Sequence, residues 1–204
     1  MPAIVGILIS YFAGSIPSAY LAGKARGVDL RAHGSGNLGA TNVARVLGTP
    51  TGILVFVADL LKGFLPVWII PRYIDAGDPE LWAVLIGAAA ILGHVKPVFL
   101  GGKGGGKGVA TASGVFLALA FVPLLIAQLV WGLVFYFTRY VSLASLVSAA
   151  FLPIAILTWW RDPTSPVFIA SLAVAAFVFW THRANIGRLR RGEEHRFVKK
   201  VNRD

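Results

Sequence analysis

The stretch Gly101-Gly102-Lys103-Gly104-Gly105-Gly106-Lys107-Gly108-Val109-Ala110-Thr111 is the part of this sequence best suited to hold an anion. Glycine lets consecutive backbone amides turn inward as a nest, and Lys103 and Lys107 bring positive charge to where a phosphate would sit. The run also satisfies G-x-x-x-x-G-K from Gly101 to Lys107, but Gly108 stands where a nucleotide P-loop has the hydroxyl that holds Mg²⁺. Nucleotide hydrolysis is therefore not expected. The plainer alternative is a flexible connector whose two lysines orient the neighbouring helices.

A second cluster runs from Gly34 to Arg45. Ala40, Val43, Ala44 and Leu47 fall at helical spacing, while Asn37, Thr41 and Arg45 recur every four residues, so a short helix would be apolar on one face and polar on the other. Ser35 or Asn37 would cap its start, whose free N–H groups would face an anion, and the Arg45 guanidinium would add a bidentate contact. An amphipathic surface helix with a solvated arginine uses the same pattern. Gly34, Gly36 and Gly39 also match G-x-G-x-x-G, but no short strand precedes them, so no dinucleotide site is expected. The third cluster, His182-Arg183-Ala184-Asn185-Ile186-Gly187-Arg188, places His182 and Asn185 at i, i+3 on one face of a helix continuing into the cytosol. Asp59 and Lys62 share that spacing and suggest an intramembrane ion pair, and His94 before Pro97 reads as a satisfied histidine at a helix end.

The elements that position these clusters must be membrane helices. Of 204 residues 56% are apolar and 14% charged, with a mean hydropathy of +0.73, which is too oily for a soluble domain. The absence of cysteine excludes disulfides, thiolate metal sites and sulfur nucleophiles. The formal charge of +10 falls between and after apolar blocks, so it orients helices and nucleic-acid binding is not expected. The first block, after Met1-Pro2, has no basic leader or cleavage pattern and reads as a retained span.

Apolar blocks cover about 3–23, 51–71, 80–95, 109–138, 141–160 and 165–181. The loop 23–50 holds Lys24, Arg26, Arg31 and Arg45 against Asp29 and is expected inside; the loop 71–80 is acidic and is expected outside. Lys96, Lys103 and Lys107, and the basic tail 183–204, are expected inside. That parity requires the 109–138 block to be two spans, divided at Pro123. The fold so read is all-α: a single polytopic membrane domain over 1–204, with about seven transmembrane helices, a short interfacial helix near residues 36–47 and an outside N-terminus.

Gly14-Ser15-Ile16-Pro17-Ser18, the Ser35–Val43 run, Asp59-Leu60-Leu61-Lys62-Gly63, Lys107-Gly108-Val109-Ala110-Thr111, Arg139–Ser145 and His182–Ile186 together resemble the bacterial acyl-phosphate:glycerol-3-phosphate acyltransferase family. The resemblance implies a bacterial inner-membrane enzyme of phospholipid synthesis with a cytoplasmic active site. It would move a fatty acyl group from acyl phosphate to the 1-hydroxyl of glycerol 3-phosphate, without cofactor or metal. By position it implies Ser35, Arg45, Lys107, His182 and Asn185 as catalytic residues, and Asn37, Thr41, Asn42, Gly102, Lys103, Gly104, Gly105, Gly106, Gly108, Thr111 and Ser142 as substrate-binding residues. Relative to the family loop, Gly104-Gly105-Gly106 carries one more glycine between the lysines, which leaves the placement of Lys103 open. No His-x-x-x-x-Asp pair, the base of other glycerolipid acyltransferases, occurs in the chain. A transporter or channel for phosphorylated metabolites is the alternative that the basic loops also suit. No feature specifies an oligomeric state.

Overall fold

The computed structural model describes residues 1–75 and 77–197, and every regular element among them is helical. The helices are α1 (Ala3–Ser15), α2 (Ser18–Ala25), α3 (Ala40–Leu47), α4 (Thr49–Ile69), α5 (Pro79–Val95), α6 (Val109–Leu119), α7 (Phe121–Thr138), α8 (Val141–Trp160), α9 (Pro166–Thr181) and α10 (Arg183–Arg190). Contacts divide the chain into two compact units, Met1–Phe121 and Val122–Asp204. The last residues of the basic tail, 198–204, and Ala76 lie outside the described residues.

In the first unit α1 packs on α5, and α4 on α6. These helices turn large apolar side chains outward: Ile4, Leu8 and Phe12 on α1 and Ile53, Leu54 and Trp68 on α4 are exposed, as suits a surface solvated by lipid. Lipid gives helices no hydrophobic reason to associate, so close packing must hold them, and small residues make it possible. A Cβ on Gly14 would lie 2.1 Å from the Ala90 carbonyl oxygen, and one on Gly93 2.2 Å from that of Tyr11. The α4–α6 contact repeats the device, with Gly63 against the Thr111 carbonyl at 2.2 Å and Gly114 against that of Leu60 at 1.9 Å. Ser10 Oγ donates to the Ile86 carbonyl at 2.7 Å, adding a polar tie between α1 and α5.

The long apolar block does divide, but at Ala120 and not at Pro123. Proline lacks an N–H, and the first turn of a helix needs none, so Pro123 sits in the opening turn of α7 instead of breaking a helix there. The count of seven spans is not reproduced. By length and composition the described residues include five helical segments able to cross a membrane, Ala3–Ala25, Thr49–Tyr73, Pro79–Leu100, Phe121–Thr138 and Val141–Trp160, and a sixth if α9 and α10 count as one. Helix α6, at 11 residues, rises about 16 Å, half of the ~30 Å hydrocarbon layer.

The second unit begins with α7 and α8, joined by a tight turn in which Arg139 takes a left-handed φ of 61°. Ser148 Oγ donates to the Ala127 carbonyl at 2.8 Å and Trp131 Nε1 to Ser145 Oγ at 3.3 Å, so polar groups as well as side-chain packing hold this hairpin. Helix α9, capped by Ser165 Oγ on the Phe168 amide, packs on α8.

Candidate functional site

The Gly14–Ser18 motif interrupts a membrane helix. Ile16 precedes Pro17 and is pushed out of the helical region, so α1 stops at Ser15 and α2 starts at Ser18. The break leaves the Ile16 carbonyl without a helical donor, and Lys62 Nζ supplies one at 2.8 Å. Lys62 also lies 2.7 Å from Asp59 Oδ1, one turn earlier on α4, forming the buried ion pair that the i, i+3 spacing suggests. His94, buried near the end of α5, turns Nδ1 toward the same carboxylate oxygen at 3.7 Å, beyond hydrogen-bonding distance, and Nδ1 has no hydrogen-bond partner. The expectation of a satisfied helix-end histidine is thus corrected: the ring faces the ion pair. These three side chains, with Ser18, Tyr20 and Gly104–Gly106, border a narrow opening.

The glycine stretch forms the rim of that opening. Gly101, Gly102, Gly104 and Gly108 have φ of 62°, 73°, 74° and 86°, backbone that side-chain-bearing residues rarely adopt. Gly105 and Gly106 are needed for space: a Cβ on Gly105 would lie 2.3 Å from the Val95 carbonyl oxygen, and one on Gly106 2.3 Å from His94 Nε2. Gly108 then caps α6, with Lys107 half-buried and Lys103 exposed beside it. Thr111, expected to bind substrate, is fully buried, and its Oγ1 has no hydrogen-bond partner. The close α4–α6 packing turns it inward.

The first motif meets this loop. A Cβ on Gly106 would sit 3.1 Å from the Leu38 carbonyl, and one on Gly104 3.7 Å from Leu38 Cδ1 and 3.8 Å from Arg31 Cδ. Arg31, counted in the sequence only as an orienting charge, is therefore next to the loop. Its guanidinium pairs with Asp29 at 2.9 Å, which holds the Asp29 carboxyl below the usual carboxylate range.

The interfacial helix exists but starts at Ala40, four residues later than expected, and neither Ser35 nor Asn37 caps it; Gly39 is the N-cap, with no side-chain bond. The reason is a turn over 33–36, where Gly34 and Gly36 are left-handed. Asn42 holds that turn: Oδ1 accepts from the Ser35 amide at 2.8 Å, and Nδ2 donates to the Leu30 and His33 carbonyls, each at 3.1 Å. Asn42, which the resemblance assigns to substrate binding, is thus buried with its amide bonded to backbone. Ser35 is exposed, and Asn37, Thr41 and Arg45 are half-buried.

In the second unit a residue passed over in the sequence gathers the expected ones. Glu194 Oε1 accepts from Ser142 Oγ at 2.8 Å and from Asn185 Nδ2 at 2.7 Å, and Oε2 accepts from Arg188 Nε at 2.7 Å. Burial by itself would raise the Glu194 carboxyl, but the bonds from Asn185, Ser142 and Arg188 and the arginine's charge outweigh it and hold the group below its ordinary value. Only one signal marked it beforehand, an acid pair in an otherwise basic tail. Ser142 lies in the first turn of α8 rather than in the connection before it. The last span does not continue straight into the cytosol: α9 and α10 bend by 60° at His182. His182 is buried there, with Nδ1 2.8 Å from the Val178 carbonyl, so Nδ1 carries the proton and Nε2 is the ring's other hydrogen-bonding atom.

Comparison with known proteins agrees over nearly the whole chain. The family model described as glycerol-3-phosphate acyltransferase matches residues 4–192. The glycerol-3-phosphate acyltransferase of Geobacter metallireducens is 49% identical over 188 residues, covering 92% of this chain and 94% of that one. The crystal structure of PlsY (YgiH), an integral membrane glycerol 3-phosphate acyltransferase, in its glycerol 3-phosphate form superposes with a TM-score of 0.88 at 42% identity over 97% of this chain and 96% of that one. Its lysophosphatidic acid form gives 0.86 and 40% over the same shares.

Proposed function

This chain belongs to the glycerol-3-phosphate acyltransferase family, and on that footing we propose that it transfers a fatty acyl group from acyl phosphate to the 1-hydroxyl of glycerol 3-phosphate, releasing lysophosphatidate and inorganic phosphate. The reaction asks little covalent chemistry of the protein, because the acyl phosphate is already activated. It asks for two anions to be held together. Phosphate groups carry about −1.5 to −2 charges each, so at a separation of about 8 Å and an effective dielectric of about 20 their repulsion is about 5 to 8 kcal/mol. Cations and oriented amides must offset that before the hydroxyl can approach.

The observation that carries this reading is the meeting of the glycine loop with the first motif, where Leu38 and Arg31 lie against Gly104 and Gly106, next in the chain to Lys107. In this reading the loop from Gly102 to Gly108 cradles a phosphate, Lys103, Lys107 and Arg45 screen charge, and Ser35, Asn37 and Thr41 orient the acceptor. Asn42 acts from behind, by fixing the turn that carries Ser35, and Thr111, whose Oγ1 is unbonded, stands among the substrate-binding residues. Ser142, His182 and Asn185 are assigned to the same reaction, with Glu194 fixing the orientation of Ser142 and Asn185.

The glycerol hydroxyl attacks the acyl carbon directly. A new C–O ester bond forms, the bond to the phosphate oxygen breaks, and the hydroxyl proton passes to a phosphate oxygen, so no acyl-enzyme intervenes. In this reading the N-terminus lies outside and the loops carrying Arg45 and Lys107 lie on the cytoplasmic side of a bacterial cell membrane, which the distribution of basic residues supports. Purified protein given glycerol 3-phosphate should release phosphate from acyl phosphate and leave acyl-CoA untouched. Lys107→Ala and Arg45→Ala should each lose nearly all turnover; wild-type rates in both would remove the assigned site.

A further inference from the structure

Three buried ionisable groups sit together in the first unit, and the reaction as described uses none of them. Asp59, Lys62 and His94 are 2%, 9% and 6% exposed. A charge in a membrane span is retained only with a partner, and the Asp59–Lys62 pair satisfies that need by itself. His94 is then unexplained. Its Nδ1 looks at Asp59 Oδ1 from 3.7 Å, and the opposite edge of its ring faces the glycine loop, with Nε2 and Cε1 2.3 Å and 2.8 Å from where a Gly106 Cβ would be. Gly105 rests on the carbonyl oxygens of His94 and Val95 at 2.4 Å and 2.3 Å by the same measure. The loop backbone thus packs against the edge of this ring, one residue before Lys107.

We infer that Asp59 and His94 are positioning residues: the Asp59 carboxylate orients the His94 imidazole, and the imidazole is the wall that sets Gly106 and, through it, Lys107. Lys62 ties the carboxylate to the α1 break through the Ile16 carbonyl, so the wall stands on three elements rather than on one side-chain rotamer. The inference rests on the reading of the loop as a phosphate site. A displacement of about 1 Å in such a loop is enough to cost two orders of magnitude in rate.

Size-complementary substitution tests it. Gly106→Ala places a methyl group against the ring, and His94→Ala removes the ring; each alone should lower kcat/KM for acyl transfer at least tenfold. In His94→Ala/Gly106→Ala the added methyl enters the space the ring vacated, and kcat/KM should exceed the product of the two single effects at least fivefold. A histidine whose ring does not set Gly106 would show no such coupling. A double variant at or below that product, or a His94→Ala enzyme with wild-type kcat/KM, overturns the inference. Asp59→Asn/Lys62→Met removes both charges together and avoids stranding either one. It should melt near the wild-type temperature with kcat/KM down at least tenfold, whereas full activity would reduce Asp59 to a counter-ion for Lys62. Failure of the proposed reaction is separable, since wild-type protein would then release no phosphate at all.

Discussion

Gly114→Ala should weaken both the fold and the activity of this protein, although it adds one methyl group in a helix that contains no proposed site residue except Thr111. The new Cβ would lie 1.9 Å from the Leu60 carbonyl oxygen and 2.9 Å from the Phe64 nitrogen, where ordinary contact begins at 3.4 Å. Backbone cannot swing aside as a side chain can, so α6 must move away from α4 by about 1.5 Å. Overpacking of this kind costs about 1 to 3 kcal/mol, equivalent to a melting temperature roughly 2 to 12 °C lower. Because α6 begins directly after Lys107-Gly108, the displacement carries the glycine loop with it, and a shift of about 1 Å at reacting groups lowers rate by about 100-fold. Gly132→Ala is the control, since a Cβ there meets nothing within 4 Å. In the interior of α7 it should gain about 0.5 to 1 kcal/mol and leave turnover unchanged. Tryptophan fluorescence on heating in a single detergent, together with phosphate release, reads both effects. If the two variants melt and turn over alike, the claim that backbone contact through glycine sets the loop is wrong.

Three further outcomes are expected. Asn42→Ala strands the Ser35 amide and the Leu30 and His33 carbonyls; it should cost about 2 to 4 kcal/mol and reduce turnover through Ser35, measured by melting and phosphate release. The Glu194 carboxyl is held below its ordinary value of 4.5, so its contribution is complete above that pH and is lost as pH falls through the lower folded value. Acid unfolding below pH 4.5 should therefore be steeper in wild type than in Glu194→Gln, and identical curves would dismiss the network as a source of stability. The chain has no cysteine, so Val28→Cys and Asp75→Cys report orientation directly: only the latter should react with an impermeant thiol reagent in intact cells, and the reverse would invert the topology.

Part of the candidate site was legible because its signals are local. A glycine-lysine run against a helix start marks a turn-rich loop suited to an anion, and Asp59 and Lys62 at i, i+3 inside an apolar block do pair. The division of the 109–138 block was legible as well, although proline marks the opening of the following helix and not the point of the break. Two features were illegible for one shared reason, that they depend on residues brought together only by the fold. The resemblance assigns Asn42 to substrate binding, and nothing local shows that its amide is bonded to backbone nine and twelve residues earlier. Glu194 looked like one more tail charge until α8 and α10 brought Ser142, Asn185 and Arg188 to it.

The sequence by itself determined the class of this protein, its bilayer setting, its helices and the short motifs that mark its family. Apolar block length, charge bias and residue spacing are properties of neighbouring residues, and they act before any helix meets another. The tertiary structure alone decided which polar groups stay available and which are spent on the fold. Hydrogen bonding and close backbone contact act over about 3 Å, and only packing brings Lys62 to the Ile16 carbonyl, His94 to Gly106, and Asn42 to the turn that carries Ser35.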